Sequence, residues 1–228
     1  MNWVKAITFD FWGTLVDVDA SGRKAMQYLL TTLGLSAVDA AALYLAWDDA
    51  TVRLYRSDVW RPYLEWSAVG LKDTFASYGV ELADAAWRDH ADAFVRTMTS
   101  EAKPHPEVPA IIATLKSRLP LMPITNMDTS YFQLNPFHAA FDGFVTAEEA
   151  KAFKPSADIF RLAIKKLGHP PHSILHASLA QFADLEGAMP LGMKVAWINR
   201  GREPLGRFTP KPLFEFPTLD GLAAQLLN

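Results

Sequence analysis

The sequence predicts an α/β fold: a doubly wound parallel sheet with an inserted all-helical domain. Three observations lead to this prediction. A short apolar strand, Val4–Phe9, comes first, residues 21–98 then show only helical spacing, and the remainder alternates strands with helices. Such alternation is typical of a parallel sheet covered by helices on both faces. We therefore predict an α/β core domain of residues 1–16 and 99–228, and a helical cap domain of residues 17–98.

Size and composition limit the function classes. The chain has 228 residues, half of them apolar, which is enough for a sizeable core. A net charge of −3 without a basic block argues against a nucleic-acid partner. The absence of cysteine excludes disulfides and thiolate metal ligands. The first apolar run is too short for a membrane span and carries Lys5, so we expect a soluble, cytoplasmic protein.

Four segments of the inserted block have apolar residues at helical spacing. They lie at 25–35, 40–55, 63–79 and 82–98, separated by Gly34, Pro62 and Gly79. No segment of this block has the pattern of a strand, and we predict helices throughout.

The remainder of the chain begins with a linker, KPHPEVP, at 103–109. Strands are predicted at 121–125, Phe144–Thr146, Ile174–Ala177 and 194–199. Helices are predicted at Pro109–Arg118, 156–168, Asp184–Leu191 and Leu219–Leu227. Pro123 is unfavourable within its strand, LMPIT, because proline donates no ladder hydrogen bond.

Polar residues stand where the predicted strands end. Asp10 follows the first strand and Thr125 ends another, while a further polar stretch follows Ile174–Ala177. Ligands bind beyond the carboxyl ends of the strands in open parallel sheets. A carboxylate there is expensive to bury unless it is paired or functional. The sequence therefore predicts an active site around Asp10.

Four motifs occur in a defined order along the chain. They are FDFWGT at 9–14, TN at 125–126, KP at 154–155, and Asp184 ahead of EGA at 186–188. Their order and spacing resemble the haloacid dehalogenase superfamily of hydrolases over nearly the whole chain. The resemblance implies a core of the predicted kind, with the helical insertion as its cap closing over Asp10.

Two positions separate the branches of this superfamily. Its phosphatases place a general acid where this chain has Trp12, and usually a magnesium-binding aspartate where it has Leu179. An aromatic residue at the first position is similar to the 2-haloacid dehalogenase branch, which typically has tyrosine there and uses no metal. That branch displaces halide by carboxylate attack and hydrolyses the resulting aspartyl ester. The KVAWINR segment at 194–200 is also similar.

The resemblance assigns three catalytic residues. Asp10 is the nucleophile, Lys154 keeps it ionised, and Asp184 orients Lys154 or the hydrolytic water. The resemblance implies no metal and no cofactor.

The resemblance also assigns substrate-binding residues. The backbone N–H groups of Phe11 and Trp12, with the Thr125 hydroxyl, hold a small-molecule carboxylate, and Asn126 donates to the departing halide. Gln181 is nearest to the family's asparagine in the last motif. Similar proteins dimerise through the cap, so the resemblance allows a homodimer, which no feature of this sequence itself indicates.

Some positions depart from the dehalogenase pattern. The family's halide-binding arginine in the cap corresponds here to Tyr44 or Asp48, and the tyrosine after its lysine corresponds to Phe160. Three cap arginines could replace the missing one: Arg53, Arg56 and Arg61. His176, within ILHAS, is expected to be a hydrogen-bonded core histidine.

Two alternatives to the dehalogenase hypothesis stay open. One is a Mg²⁺-dependent phosphatase, which Trp12 and Leu179 disfavour because a hard cation needs several oxygen ligands. The other is a family member that binds a small acid or a protein partner without turnover, which the altered cap and the 178–184 stretch favour.

Overall fold

The computed structural model describes residues 1–57 and 59–227. The chain forms two compact units. The first comprises Met1–Asp17, Pro104–Asn126 and Phe137–Asn228, and the second comprises Val18–Lys103 and Met127–Pro136. The first contains a six-stranded parallel sheet flanked by helices and the second is helical, which confirms the predicted fold class.

Strands and helices alternate through most of the first unit, as the sequence predicts. An additional strand, Phe214–Phe216, was not predicted and follows the preceding strand with no helix in the described residues between them. The strands are β1 (Ala6–Phe9), β2 (Val16–Asp17), β3 (Lys103–Pro104), β4 (Leu121–Thr125), β5 (Val145–Thr146), β6 (Ile174–Ser178), β7 (Lys194–Ile198) and β8 (Phe214–Phe216). The α-helices are α1 (Val18–Thr32), α2 (Ala40–Tyr55), α3 (Tyr63–Ala76), α4 (Asp84–Glu101), α5 (Val108–Lys116), α6 (Thr129–Phe132), α7 (Ala147–Ala150), α8 (Ala157–Leu167), α9 (Glu186–Ala188) and α10 (Leu219–Leu227). A π-helical turn, Gln181–Leu185, precedes α9, and 3₁₀ turns lie at Pro136–Ala140, Pro171–Ser173 and Met189–Leu191. No helix in the described part of the chain is both long and apolar enough to cross a bilayer.

The main sheet has the strand order β5-β4-β1-β6-β7-β8. The strand β1 is fully buried and pairs in parallel with β4 on one side and β6 on the other. The carboxyl ends of these three strands therefore meet at one edge of the sheet. This arrangement brings Asp10, Thr125 and Ser178 to the same edge, where parallel sheets place their ligands.

Pro123 is tolerated inside β4. Ile7 donates to Pro120 O and Phe9 is in register with Pro123, so the proline nitrogen faces away from β1. On its other side, β5 begins only at Val145, which is opposite Ile124. No ladder hydrogen bond is lost, which explains why the predicted strand forms despite its proline.

The second unit buries large aromatic side chains between its helices. The ring of Trp47 lies 4.5 Å from that of Phe94, edge to face. Phe75 and Trp87 are 5.5 Å apart. These residues belong to α2, α4 and α3, so the apolar faces that predicted the helices form this core.

Residues 127–136 belong to the second unit through polar contacts. The buried carboxylate of Asp128 accepts hydrogen bonds from Tyr63 N (2.8 Å) and Leu64 N (3.0 Å), the first N–H groups of α3. Asn135 donates to backbone carbonyls at and just after the end of α4. Asp128 thus caps a helix far away in the sequence, because Pro62 offers α3 no side-chain cap.

The compact units differ in three places from the predicted domains, 17–98 and 1–16 with 99–228. Asp17 groups with the sheet rather than with the helices. Residues 99–103 and 127–136 group with the helices. Both segments were assigned to the core by their position in the sequence, whereas their contacts are with helical residues. The predicted domain limits themselves stay a prediction.

Substituting Asp128 with alanine is expected to lower the free energy of unfolding by about 2 kcal/mol, because two helix N–H groups lose their acceptor. Chemical denaturation would measure the change. Asp39→Ala is the matched control, since Asp39 caps α2 locally and at the surface. We expect a loss of about 1 kcal/mol there. An Asp128→Ala loss no greater than that of the control would contradict the capping role.

Candidate active site

Asp10 begins a tight turn at the end of β1. Its side chain is buried, and its N–H donates to Ala177 O at 3.0 Å, which extends the pairing with β6 by one residue. The hydroxyl of Thr14 donates to Asp10 Oδ2 at 2.6 Å. Gly13 has a φ of +79°, and a Cβ there would approach the Leu179 side chain to 2.7 Å. Glycine is therefore required in this turn for its conformation and for space.

More distant side chains hold the same turn. His105 Nε2 lies 2.9 Å from Gly13 O. Arg200 donates to Thr14 O at 2.8 Å and to Glu107 at 2.7 Å. Burial opposes ionisation of Glu107, but backbone N–H groups and Arg200 hold its pKa below the ordinary value. The turn is thus fixed from two directions, and the sequence analysis missed both His105 and Arg200 as its anchors.

The ammonium group of Lys154 lies between two carboxylates. Its Nζ is 2.7 Å from Asp10 Oδ1 and 2.9 Å from Asp184 Oδ1. A cis peptide bond joins Lys154 to Pro155. The amide of Asn126 holds the lysine backbone, accepting from Lys154 N at 2.6 Å and donating to Lys154 O at 3.2 Å. The structure therefore brings the three predicted catalytic residues into one hydrogen-bonded group.

Asp184 is fully buried and surrounded by donors. Besides Lys154, Ser178 Oγ donates to its Oδ2 at 2.8 Å, and His176 Nε2 lies 2.9 Å from its Oδ1. Asp184 lies within the π-helical turn Gln181–Leu185, which holds one residue more than an α turn. π turns of this kind are frequent at functional sites.

The charges of the group are strongly coupled. Burial and the neighbouring Asp184 raise the pKa of Asp10, against the attraction of Lys154. Burial also opposes ionisation of Asp184, but Lys154 and His176 lower its pKa to about 2. The two carboxylates raise the pKa of Lys154 despite its burial. The surroundings therefore favour the ionised form of Asp184 more strongly than that of Asp10.

The predicted substrate-binding residues have different surroundings. Thr125 is fully buried, and its hydroxyl has no hydrogen-bond partner in the described part of the chain, so it can donate to a ligand. Asn126 uses one amide hydrogen on the lysine backbone, which leaves at most one for a halide. Gln181 binds the loop after β7, donating to Pro204 O at 3.0 Å and accepting from Gly206 N at 2.7 Å. Its proposed contact with substrate stays a prediction.

Phe11 and Trp12 follow the nucleophile directly. Their rings meet edge to face at 4.8 Å, with Phe11 fully buried and Trp12 half-buried. The role of their N–H groups stays a prediction. Phe160, which stands where the dehalogenases have tyrosine, packs edge to face on the ring of His176 at 5.6 Å. Its role here is in packing.

Tyr44, at the expected arginine position, and two of the possible replacement arginines have partners within the second unit. Tyr44 is buried in α2 and donates to Asp19 at 3.2 Å. Arg53 forms an exposed ion pair with Asp49 at 2.6 Å, and Arg61 lies over a tryptophan ring. The replacement of the family arginine by any of the three cap arginines stays a prediction.

Ser178 and His176 are site residues that the sequence analysis did not select. They lie in β6, where every residue is buried. A polar side chain in such a strand is a usable signal, because it must find a buried partner. The partner, Asp184, follows from the strand and turn geometry.

A family model described as haloacid dehalogenase-like hydrolase matches residues 4–178. The (S)-2-haloacid dehalogenase of Pseudomonas putida is 27% identical, in an alignment that covers 100% of this chain and 99% of that protein. Haloacetate dehalogenase H-2 of Moraxella sp. (strain B) is 25% identical, with 97% of each chain covered. The structure of L-2-haloacid dehalogenase from Xanthobacter autotrophicus with chloropropionic acid covalently bound has a TM-score of 0.80, 20% identity and 99% coverage of both chains. This last likeness shows the shared fold.

Proposed function

The chain belongs to the haloacid dehalogenase-like hydrolases, and from this premise we propose that it removes halide from a short 2-haloalkanoic acid. Relatives that span the whole chain carry the names of 2-haloacid and haloacetate dehalogenases. The observation that carries the proposal is the Lys154 ammonium 2.7 Å from Asp10 Oδ1. This contact supports an ionised Asp10 nucleophile whose counter-charge comes from a protein side chain.

In the first step, Asp10 attacks the carbon that bears the halogen. An Asp10 oxygen forms a C–O bond, the carbon–halogen bond breaks, and halide leaves with the bonding electron pair. Halide needs no proton to leave, so the absence of an acidic group at Trp12 does not obstruct this step. The Thr125 hydroxyl and the backbone after Asp10 supply donors for the substrate carboxylate.

In the second step, water hydrolyses the ester on Asp10. Water adds its oxygen to the ester carbonyl carbon, the alkyl oxygen leaves as the hydroxyl of a 2-hydroxy acid, and the Asp10 carboxylate is restored with release of one proton. Lys154 then lies again between the ionised carboxylates of Asp10 and Asp184. Asp184 keeps the ammonium in place throughout, since its low pKa makes it an anchor rather than a proton acceptor.

The donor set around Asp10 does not fit a magnesium ion. Lys154 Nζ occupies the space between the Asp10 and Asp184 carboxylates. No group of three or more metal-ligating side chains occurs among residues 1–57 and 59–227. Leu179, at the position of the family's usual third carboxylate, offers no oxygen from its side chain. These observations support a metal-independent reaction over the phosphatase alternative.

Incubation with short 2-haloacids is expected to release halide in the presence of EDTA. The panel should include chloro-, bromo- and fluoroacetate and both enantiomers of 2-chloropropionate, with halide and 2-hydroxy acid measured in equal amounts. In a parallel assay that tests the phosphatase alternative, the protein is incubated with phosphate esters and Mg²⁺. Phosphate release there, without halide release from any haloacid, would overturn the proposal.

A further inference from the structure

His176 and Thr8 form a buried pair behind the catalytic group. Both are fully buried, and they are directly in register on the adjacent strands β6 and β1. Thr8 Oγ1 lies 2.8 Å from His176 Nδ1, and His176 Nε2 lies 2.9 Å from Asp184 Oδ1. The pair thus continues the hydrogen-bonded group away from the substrate, and neither chemical step above uses it.

The chemistry of Asp184 fixes the direction of its bond with His176. An ionised carboxylate only accepts hydrogen bonds, so Nε2 carries a hydrogen and donates it. The Thr8 hydroxyl can donate to or accept from Nδ1, so it satisfies the ring in either protonation state. Thr8 therefore holds the ring orientation, and the ring holds one oxygen of Asp184.

We propose that His176 is a positioning residue that acts on Asp10 through Asp184 and Lys154. The donor from His176 fixes Oδ1, the same oxygen that lies 2.9 Å from Lys154 Nζ. Without it, Asp184 can rotate, and the ammonium that faces Asp10 at 2.7 Å loses its second anchor. The kinetic consequence of this inference rests on the proposed hydrolysis. The hydrogen bond between His176 and Asp184 does not depend on that proposal.

The charged and polar groups near this pair are few. Asp184 faces Lys154, Ser178, His176 and, across the ammonium, Asp10. His176 itself is flanked by Thr8, Asp184 and the ring of Phe160. A loss of the Nε2 donor therefore acts on Asp184, whose pKa must rise when one stabilising donor is removed.

The test compares His176→Phe, which removes the donor, with His176→Gln, which keeps an N–H donor. Phe is expected to lower kcat by about tenfold or more, with KM within about twofold, because the lost bond is to a charged group that does not contact substrate. The acid limb of the pH profile should move to higher pH, because a less firmly held Lys154 ammonium stabilises the Asp10 carboxylate less. The His176→Gln variant should retain most of the wild-type kcat. His172→Gln, on an exposed turn, is the matched control and should behave as wild type.

A folded His176→Phe variant with unchanged kcat and pH profile would overturn the inference. An equal loss of kcat in His176→Phe and His176→Gln would overturn it as well. If the Phe variant does not fold, Thr8→Val and His176→Gln carry the kinetic test. Nitrogen-15 NMR of wild type adds a readout independent of turnover, because it must show a hydrogen on His176 Nε2. If wild type releases no halide, the proposed function fails, while the NMR result still decides the hydrogen bond.

Discussion

Replacing Asp10 by asparagine is expected to abolish halide release, by about 10⁴-fold or more, because the amide is not a nucleophile. Asparagine has nearly the same shape. Its one amide oxygen can still accept from Lys154, while its NH₂ group faces the Thr14 hydroxyl as a donor. The measurement is halide release under single-turnover conditions, with mass spectrometry for an ester on residue 10. Wild type should accumulate or pass through the ester, and the variant should show none. Asp158→Asn, at an exposed position in α8, is the control.

The stability of the same variant separates catalysis from structure. The raised pKa of Asp10 means that the folded state binds its proton more tightly than the unfolded state does. Above that pKa, the ionised side chain lowers the free energy of unfolding. Asp10→Asn should therefore be at least as stable as wild type at pH 7.5, and the difference should vanish below about pH 4. A variant that loses stability at neutral pH would assign Asp10 a structural role.

Local patterns predicted much of this fold because the local and tertiary preferences agree. The strand β1 and its neighbours are short apolar runs that end in polar residues, and α2 lies at 40–55 as its apolar spacing predicts. Motif order also predicted that Asp10, Lys154 and Asp184 would meet, since each follows a strand or precedes a helix at the same sheet edge.

Other features depend on contacts that no local pattern records. The edge strand β8 has three residues, lies between prolines and is only partly buried, so it was missed. The helical grouping of 127–136 depends on Asp128 reaching the start of α3. His176 was correctly expected to be a buried, hydrogen-bonded histidine, but its partners follow from the register of β6 with β1.

Lys154→Met is expected to have the second large effect, on activity and stability together. Methionine fills a similar volume but leaves Asp10 and Asp184 buried without their counter-charge. Removing one partner of a buried ion pair lowers the free energy of unfolding by about 3–5 kcal/mol. Halide release should also be lost, since Asp10 would take up a proton at neutral pH. Lys166→Met, which removes a partly exposed ion pair with Glu149, is the control and should stay within about 1 kcal/mol of wild type.

The pH dependence of this destabilisation tests its electrostatic origin. In wild type, the pKa of Asp184 is lowered to about 2, so its ionisation contributes stability above the ordinary pKa, which is lost as the pH falls towards 2. In Lys154→Met both carboxyl pKa values should lie above their unfolded values, so the folded variant binds protons and becomes more stable as the pH falls from 7.5 to 5. The gap between wild type and variant should therefore narrow over that range, as chemical denaturation at several pH values would show. A gap that stays constant with pH would mean that methionine disturbs packing, and that the ammonium contributes little to holding the two carboxylates together.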